Sequence, residues 1–263
     1  MKAKTNGIET NYEIHGREGA PWLVLSHSLA CSVRMWDPQL EALKGEYRIL
    51  AYDTRGHGAS GAPAGPYSLE MLADDLKALL DATGAKTPHY CGLSMGGMIG
   101  QTFALKYPGV LRTLMLADTT SRYPAEAAPV WQARIKTAEE QGMGPIVQPT
   151  LERWFTGPYR KSNPGPVAAI GKLIAATPVA GFVGCCHAIP KINLTARLKE
   201  IRTPILVICG DQDPGTPPAM AREIHDNAPG SKLVMIPQAA HLSNLENPAA
   251  FTNAMREFLA ANR

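Results

Sequence analysis

The chain has 263 residues, 45% hydrophobic and 19% charged, with a formal net charge of +3; this suits an ordinary soluble globular protein built as one large domain or as a core with an insertion. Its Lys and Arg residues are scattered without interleaved aromatics, so no nucleic-acid partner is expected. No apolar run approaches the length of a membrane span, and Met1-Lys2-Ala3-Lys4-Thr5-Asn6 lacks the apolar centre of a signal peptide, so neither membrane insertion nor export is expected.

In chain order, residues 8–14 read as a strand of an antiparallel edge, followed by apolar strand runs at Trp22–Ser26 and Arg48–Tyr52. Leu69, Leu72, Leu76, Leu79 and Leu80 then mark one face of a helix that Ser68 can cap and Gly84 can end. Further strands are expected at His89–Leu93, residues 111–117, residues 205–209 and Lys232–Ile236. A last helix starts near Pro248 and turns Phe251, Met255, Phe258 and Leu259 inward. Short apolar runs alternating with helix-period segments predict an α/β fold with a mainly parallel twisted sheet and helices on both faces. Across residues 122–193 prolines multiply and the alternation stops. That stretch reads as an inserted helical cap between a first core part, residues 1–121, and a second, residues 194–263. Its place beyond a strand end sets it over the carboxyl edge of the sheet, where open α/β folds bind ligands.

Five cysteines, an odd number set mostly within apolar runs, suit a reducing cytoplasm better than a disulfide framework. There is no Cys-x-x-Cys and no helix-spaced histidine pair, so no metal is expected.

The densest chemical signal is Gly92-Leu93-Ser94-Met95-Gly96, a serine between glycines where a strand run gives way to a helix run. It reads as a nucleophile elbow, although the pentapeptide alone occurs by chance in many folds. A serine hydroxyl is a poor nucleophile at neutral pH, so it needs a base and donors for developing negative charge. Among seven histidines, His241 lies between the last strand and the last helix, where a side chain can face the carboxyl edge. Asp213, three residues past the Gly210 turn, is preferred as the acid over Asp211 and Asp118 because its position carries it out over that edge. The order Ser94, Asp213, His241 suits this architecture. Backbone N–H groups of Leu29 and Met95 are the expected oxyanion donors. His27 is expected to brace the loop before Leu29, and Asp53-Thr54-Arg55-Gly56-His57-Gly58-Ala59-Ser60 to form a hydrogen-bonded turn.

Together these motifs resemble the α/β-hydrolase superfamily over the whole chain; Ser28 stands where most members have glycine, which narrows the oxyanion loop but leaves its donor in place. Within that superfamily the chain is most similar to the 3-oxoadipate enol-lactonases. The likeness rests on Ser26-His27-Ser28-Leu29 with Met35-Trp36-Asp37-Pro38-Gln39, on Arg153-Trp154-Phe155-Thr156, and on Gly184-Cys185-Cys186-His187-Ala188-Ile189. The resemblance implies cofactor-free hydrolysis of a small anionic lactone, 3-oxoadipate enol-lactone, in the β-ketoadipate pathway of aromatic catabolism. A substrate carboxylate then calls for a cap cation. Arg134 is the first candidate and Arg153 the second, with Trp131 and Trp154 as apolar wall. Cys185 and Cys186 are adjacent, so at most one can face the pocket. Another carboxylesterase or carbon–carbon bond hydrolase, a cofactor-free haloperoxidase and a slow-turnover ligand receptor are the competing readings.

Overall fold

The computed structural model describes residues 1–262. Eight strands are found there: β1 (Lys2–Thr5), β2 (Ile8–His15), β3 (Trp22–Ser26), β4 (Arg48–Tyr52), β5 (His89–Leu93), β6 (Thr113–Ala117), β7 (Ile205–Gly210) and β8 (Lys232–Ile236). They form one sheet in the order β1-β2-β4-β3-β5-β6-β7-β8. β1 and β2 pair antiparallel, as do β2 and β4, and every pairing from β4 to β8 is parallel. Every residue of β5, β6 and β7 is buried, which requires cover on both faces of the sheet centre. The α/β class with a mainly parallel sheet, expected from the strand–helix alternation, is the one observed.

β1 was not expected, because Lys-Ala-Lys-Thr carries no apolar alternation. It forms through the hairpin turn Asn6-Gly7, whose left-handed φ values of 36° and 81° fold Thr5 back onto Ile8. That dipeptide is the local signal for it. β6 begins two residues later than the apolar run, and β7 runs one residue further, to Gly210.

The helices are α1 (Asp37–Leu43), α2 (Leu69–Thr83), α3 (Met95–Lys106), α4 (Ala128–Gln141), α5 (Gly144–Trp154), α6 (Gly157–Ser162), α7 (Pro164–Ala176), α8 (Val179–Ala188), α9 (Pro218–Asn227), α10 (Ser243–Glu246) and α11 (Pro248–Ala260). Ser68 accepts the Met71 N–H at 3.1 Å to cap α2, and Gly84 ends it at φ 68°. Leu69, Leu72, Leu76, Leu79 and Leu80 are its buried face. α4 to α8 form a helical insertion between β6 and β7, and an antiparallel bridge between Arg122 and Asn193 closes its base. α8 lies directly on the core turn after β4: a Cβ on Gly181 would fall 2.0 Å from the Gly56 carbonyl oxygen. Only a residue without a side chain permits that approach.

Because β3 to β8 run in one direction, their carboxyl ends share an edge. Residues that follow them, Leu29, Ser94, Asp213 and His241, are thereby delivered to one side of the sheet.

Three histidines sit in this core. Burial pushes His57 down to about 3, helped by the neighbouring His27, and pushes His89 down to about 4, helped by Arg112. His27 is also lowered by burial, against the pull of Asp53. A histidine kept neutral inside binds fewer protons than it does unfolded, so its contribution is intact above the ordinary value of 6.5 and is lost as pH falls below it. Each fully buried histidine weakens the fold by up to about 1.4 kcal/mol per pH unit in that window. Chemical denaturation at about pH 7 and about pH 5, above the carboxylate range, should show a clear loss of stability at the lower pH. Equal stability at the two would contradict it.

Candidate active site

Ser94 ends β5 and precedes α3 at φ 56°, ψ −114°, a backbone conformation that residues other than glycine avoid. Its N–H donates to Ala117 O at 2.8 Å, and its carbonyl accepts from Thr119 Oγ1 at 2.7 Å. The corner closes by direct backbone contact. A Cβ on Gly92 would meet Gly96 O at 2.2 Å, and one on Gly96 would meet Ser26 O at 2.2 Å. The Ser94 side chain makes no capping bond to the helix. Its hydroxyl is therefore left for the cavity it lines.

That cavity, about 190 Å³, is bounded by Ser94 and His241 with Ser28, Leu29, Pro214 and Gly215 on the core side. His241 Nδ1 lies 2.8 Å from Asp213 Oδ2. A carboxylate can only accept, so Nδ1 carries the proton and Nε2 is left as the free base. Asp213 is itself held by the Gly215 and Thr216 N–H groups on Oδ1, at 2.7 and 3.1 Å, and by the Thr216 hydroxyl on Oδ2 at 2.7 Å. Burial opposes its charge, yet His241 and the Thr216 bonds outweigh burial and hold the carboxyl below its ordinary value. Trp154 stacks on the imidazole, with centroids 6.0 Å apart.

The rival acids have other work. Asp211 Oδ1 accepts the Ala239 N–H at 3.3 Å and braces the loop before His241. Asp118 accepts the Gly210 N–H at 2.7 Å and the Ser243 hydroxyl at 2.5 Å, tying the ends of β6 and β7 to the start of α10. Burial, and then the charge of Asp213, push the Asp118 carboxyl well above its ordinary value. Donor atoms of Asp118, Cys209 and Asp213 lie within 4.8 Å of one another. Both carboxylates are already committed to protein partners, which makes this a hydrogen-bonded layer behind the imidazole.

Two N–H groups flank Ser94. Leu29 lines the cavity, and its N–H has no partner among the described residues. Met95 is the first residue of α3, so its N–H has no acceptor within the helix, and the helix dipole adds positive potential there. The Leu29 loop is pinned from behind: His27 Nε2 accepts the Thr54 N–H at 2.9 Å, and its Nδ1–H donates to Ser28 O at 2.7 Å. The turn after β4 is closed by Asp53, which accepts from Val33 N, Asn11 Nδ2 and Ala59 N at 2.8–2.9 Å, and by a buried Arg55–Asp75 ion pair. The Ser28 hydroxyl, buried in the loop, has no protein partner.

Arg134, Arg153, Trp131 and Trp154 all line the same cavity. The Arg134 guanidinium stacks on Trp131 at 4.8 Å and faces Phe182 at 5.5 Å. Burial, then the charge of Arg153, pull it down to about 10. Arg153 is lowered by burial as well. Neither guanidinium has a carboxylate within ion-pair distance among the described residues. Cys185 and Cys186 are both buried and contribute no cavity wall. The sequence reading missed Thr216, whose signal is a hydroxyl three residues after an aspartate in a turn. It also missed Tyr123, a cavity wall at the insertion's entry that no local pattern marks.

A family model described as alpha/beta hydrolase fold matches residues 21–248. The chain is 36% identical over 248 residues to 3-oxoadipate enol-lactonase 2 of Acinetobacter baylyi, covering 94% of this chain and 92% of that one. It is 31% identical to a protein of Stutzerimonas stutzeri assigned as the carbamate hydrolase RutD, covering 95% and 96%. The crystal structure of the enol-lactonase from Burkholderia xenovorans LB400 superposes with a TM-score of 0.95 at 37% identity, covering 99% of this chain and all of that one.

The raised carboxyl behind the imidazole can be read out through pH. A carboxyl raised on folding holds a proton that the unfolded chain releases above its ordinary 3.8, so its contribution is greatest below that value and is lost as pH rises. Asp118→Asn keeps an acceptor for Gly210 and places a donor toward Ser243. Its stability relative to the parent should therefore improve from pH 5 to pH 8, by up to about 1.4 kcal/mol per pH unit. A difference independent of pH would contradict the raised carboxyl.

Proposed function

The chain belongs to the α/β-hydrolase family, and from that premise we propose that it is a serine hydrolase opening 3-oxoadipate enol-lactone to 3-oxoadipate. Ser94 Oγ attacks the lactone carbonyl while His241 Nε2 takes its proton, and Asp213 stabilises the imidazolium that forms. The oxyanion develops between the Leu29 and Met95 N–H groups, each worth about 3 kcal/mol of transition-state stabilisation. Ring opening expels an enol that receives the proton from His241 and tautomerises to the ketone. A water activated by His241 then releases the acid. No metal or organic cofactor enters these steps.

The observation that carries the choice of substrate is the unpaired Arg134 guanidinium in the same cavity as Ser94 and His241. A half-buried cation without a counter-charge favours an anionic ligand, and the enol-lactone carries one carboxylate. Trp131 and Trp154 supply flat apolar wall for the ring. A role in aromatic catabolism in the cytoplasm is part of the same proposal, supported on the second point by five buried cysteines that are all unpaired. The likeness to RutD supports a second reading, carbamate or simple ester hydrolysis.

A panel of enol-lactone, a neutral aryl ester and a carbamate, followed by absorbance with a chelator present, separates these readings. The enol-lactone should have the highest kcat/KM. Arg134→Ala should raise its KM by about 10-fold or more while changing that of the aryl ester by less than about 2-fold. Preference for the ester or carbamate, or an equal effect of the substitution on anionic and neutral substrates, would overturn the proposal.

A further inference from the structure

Two cations share this cavity. Arg134 is held at the cap end between Trp131 and Phe182. Arg153 lies at the catalytic end: a methyl placed on Gly215 would sit 3.7 Å from Arg153 Cδ and 3.4 Å from His241 Nδ1. Besides burial, the charge of Asp213 acts on Arg153. The next residue, Trp154, stacks on His241, so the α5 end that carries Arg153 is fixed against the imidazole. Neither guanidinium is ion-paired among the described residues, and each repels the other. A substrate with one carboxylate satisfies only one of them.

We propose that the cavity is a dicarboxylate site in which Arg134 takes the carboxylate already present on the substrate and Arg153 takes the one that hydrolysis creates beside Ser94. The inference rests on the reaction proposed above. Opening a lactone monoanion adds one water and releases one proton from the new acid, so the product carries two negative charges where the substrate carried one. The acyl carbon that becomes the second carboxylate is the one attached to Ser94 Oγ, in the cavity that Ser94 and Arg153 both line. Arg153 is thus a charge acceptor for the product state, and release of the dianion is slowed by it.

Calorimetric titration of the resting protein with adipate and with hexanoate tests this, since the two have the same chain length and differ by one carboxylate. Adipate should bind about 10-fold or more tightly than hexanoate. Arg153→Gln should bring the two within about 2-fold of each other, and Arg153→Lys should restore part of the preference. Thermal unfolding of each variant reports whether the fold is retained. Equal binding of adipate and hexanoate to the parent protein, or an undiminished preference in folded Arg153→Gln, would overturn the proposal. The titration requires no turnover, so a chain that failed to open the enol-lactone yet selected adipate would refute the reaction and leave the dicarboxylate site standing.

Discussion

Ser94 is held in a backbone conformation that costs about 1–3 kcal/mol for a residue with a side chain, and the surrounding contacts leave it no alternative. β5, α3 and β3 meet at the elbow with no room for a Cβ on Gly92 or Gly96, and Tyr90 adds a hydrogen bond from its hydroxyl to Gly96 O at 2.6 Å. Relaxing Ser94 would require the strand and the helix to separate. That close packing turns an ordinary serine into one whose hydroxyl projects from a corner, with the first N–H groups of a helix beside it. The rest of the site is arranged around this fixed point.

The other participants arrive on loops, and each loop is tied down from behind. His27 couples the Leu29 loop to the turn after β4 through one ring nitrogen that accepts and one that donates, a pattern available only to a neutral imidazole. Burial keeps it neutral. Asp118 performs the corresponding task on the other side, joining Gly210 to Ser243 and so flanking both Asp213 and His241 in the chain. Two carboxyls close together cannot both be charged at low cost, and their surroundings resolve the conflict: Asp213 faces an imidazole, whereas burial outweighs the two hydrogen bonds that Asp118 accepts. Charge is thereby concentrated on the acid that touches His241.

Much of this was legible before any coordinates. β3, β4 and β5 fall on their apolar runs because buried parallel strands admit little else, the half-buried edge strand β8 falls on its run as well, and Ser68 and Gly84 bound α2 through their own local chemistry. Ser94, Asp213 and His241 could be singled out because each directly follows a strand, and parallel strands end on a common edge. β1 escaped because its pairing depends on a turn and its own residues are polar. Thr216 and Tyr123 escaped for a different reason, since their parts in the site come from proximity across the fold. Arg134 and Arg153 were visible as cap cations, but their convergence on one cavity depends on how α4 and α5 pack. That arrangement has no signature in either segment alone.

The account stands on Ser94 being activated by His241. Exposure to a fluorophosphonate, followed by peptide mapping with mass spectrometry, tests that directly, because such reagents form a stable bond only with an activated hydroxyl. One adduct per chain on Ser94, lost in a folded His241→Ala variant, is the expected result. An adduct on another residue, or labelling of Ser94 that persists undiminished without His241, would contradict it.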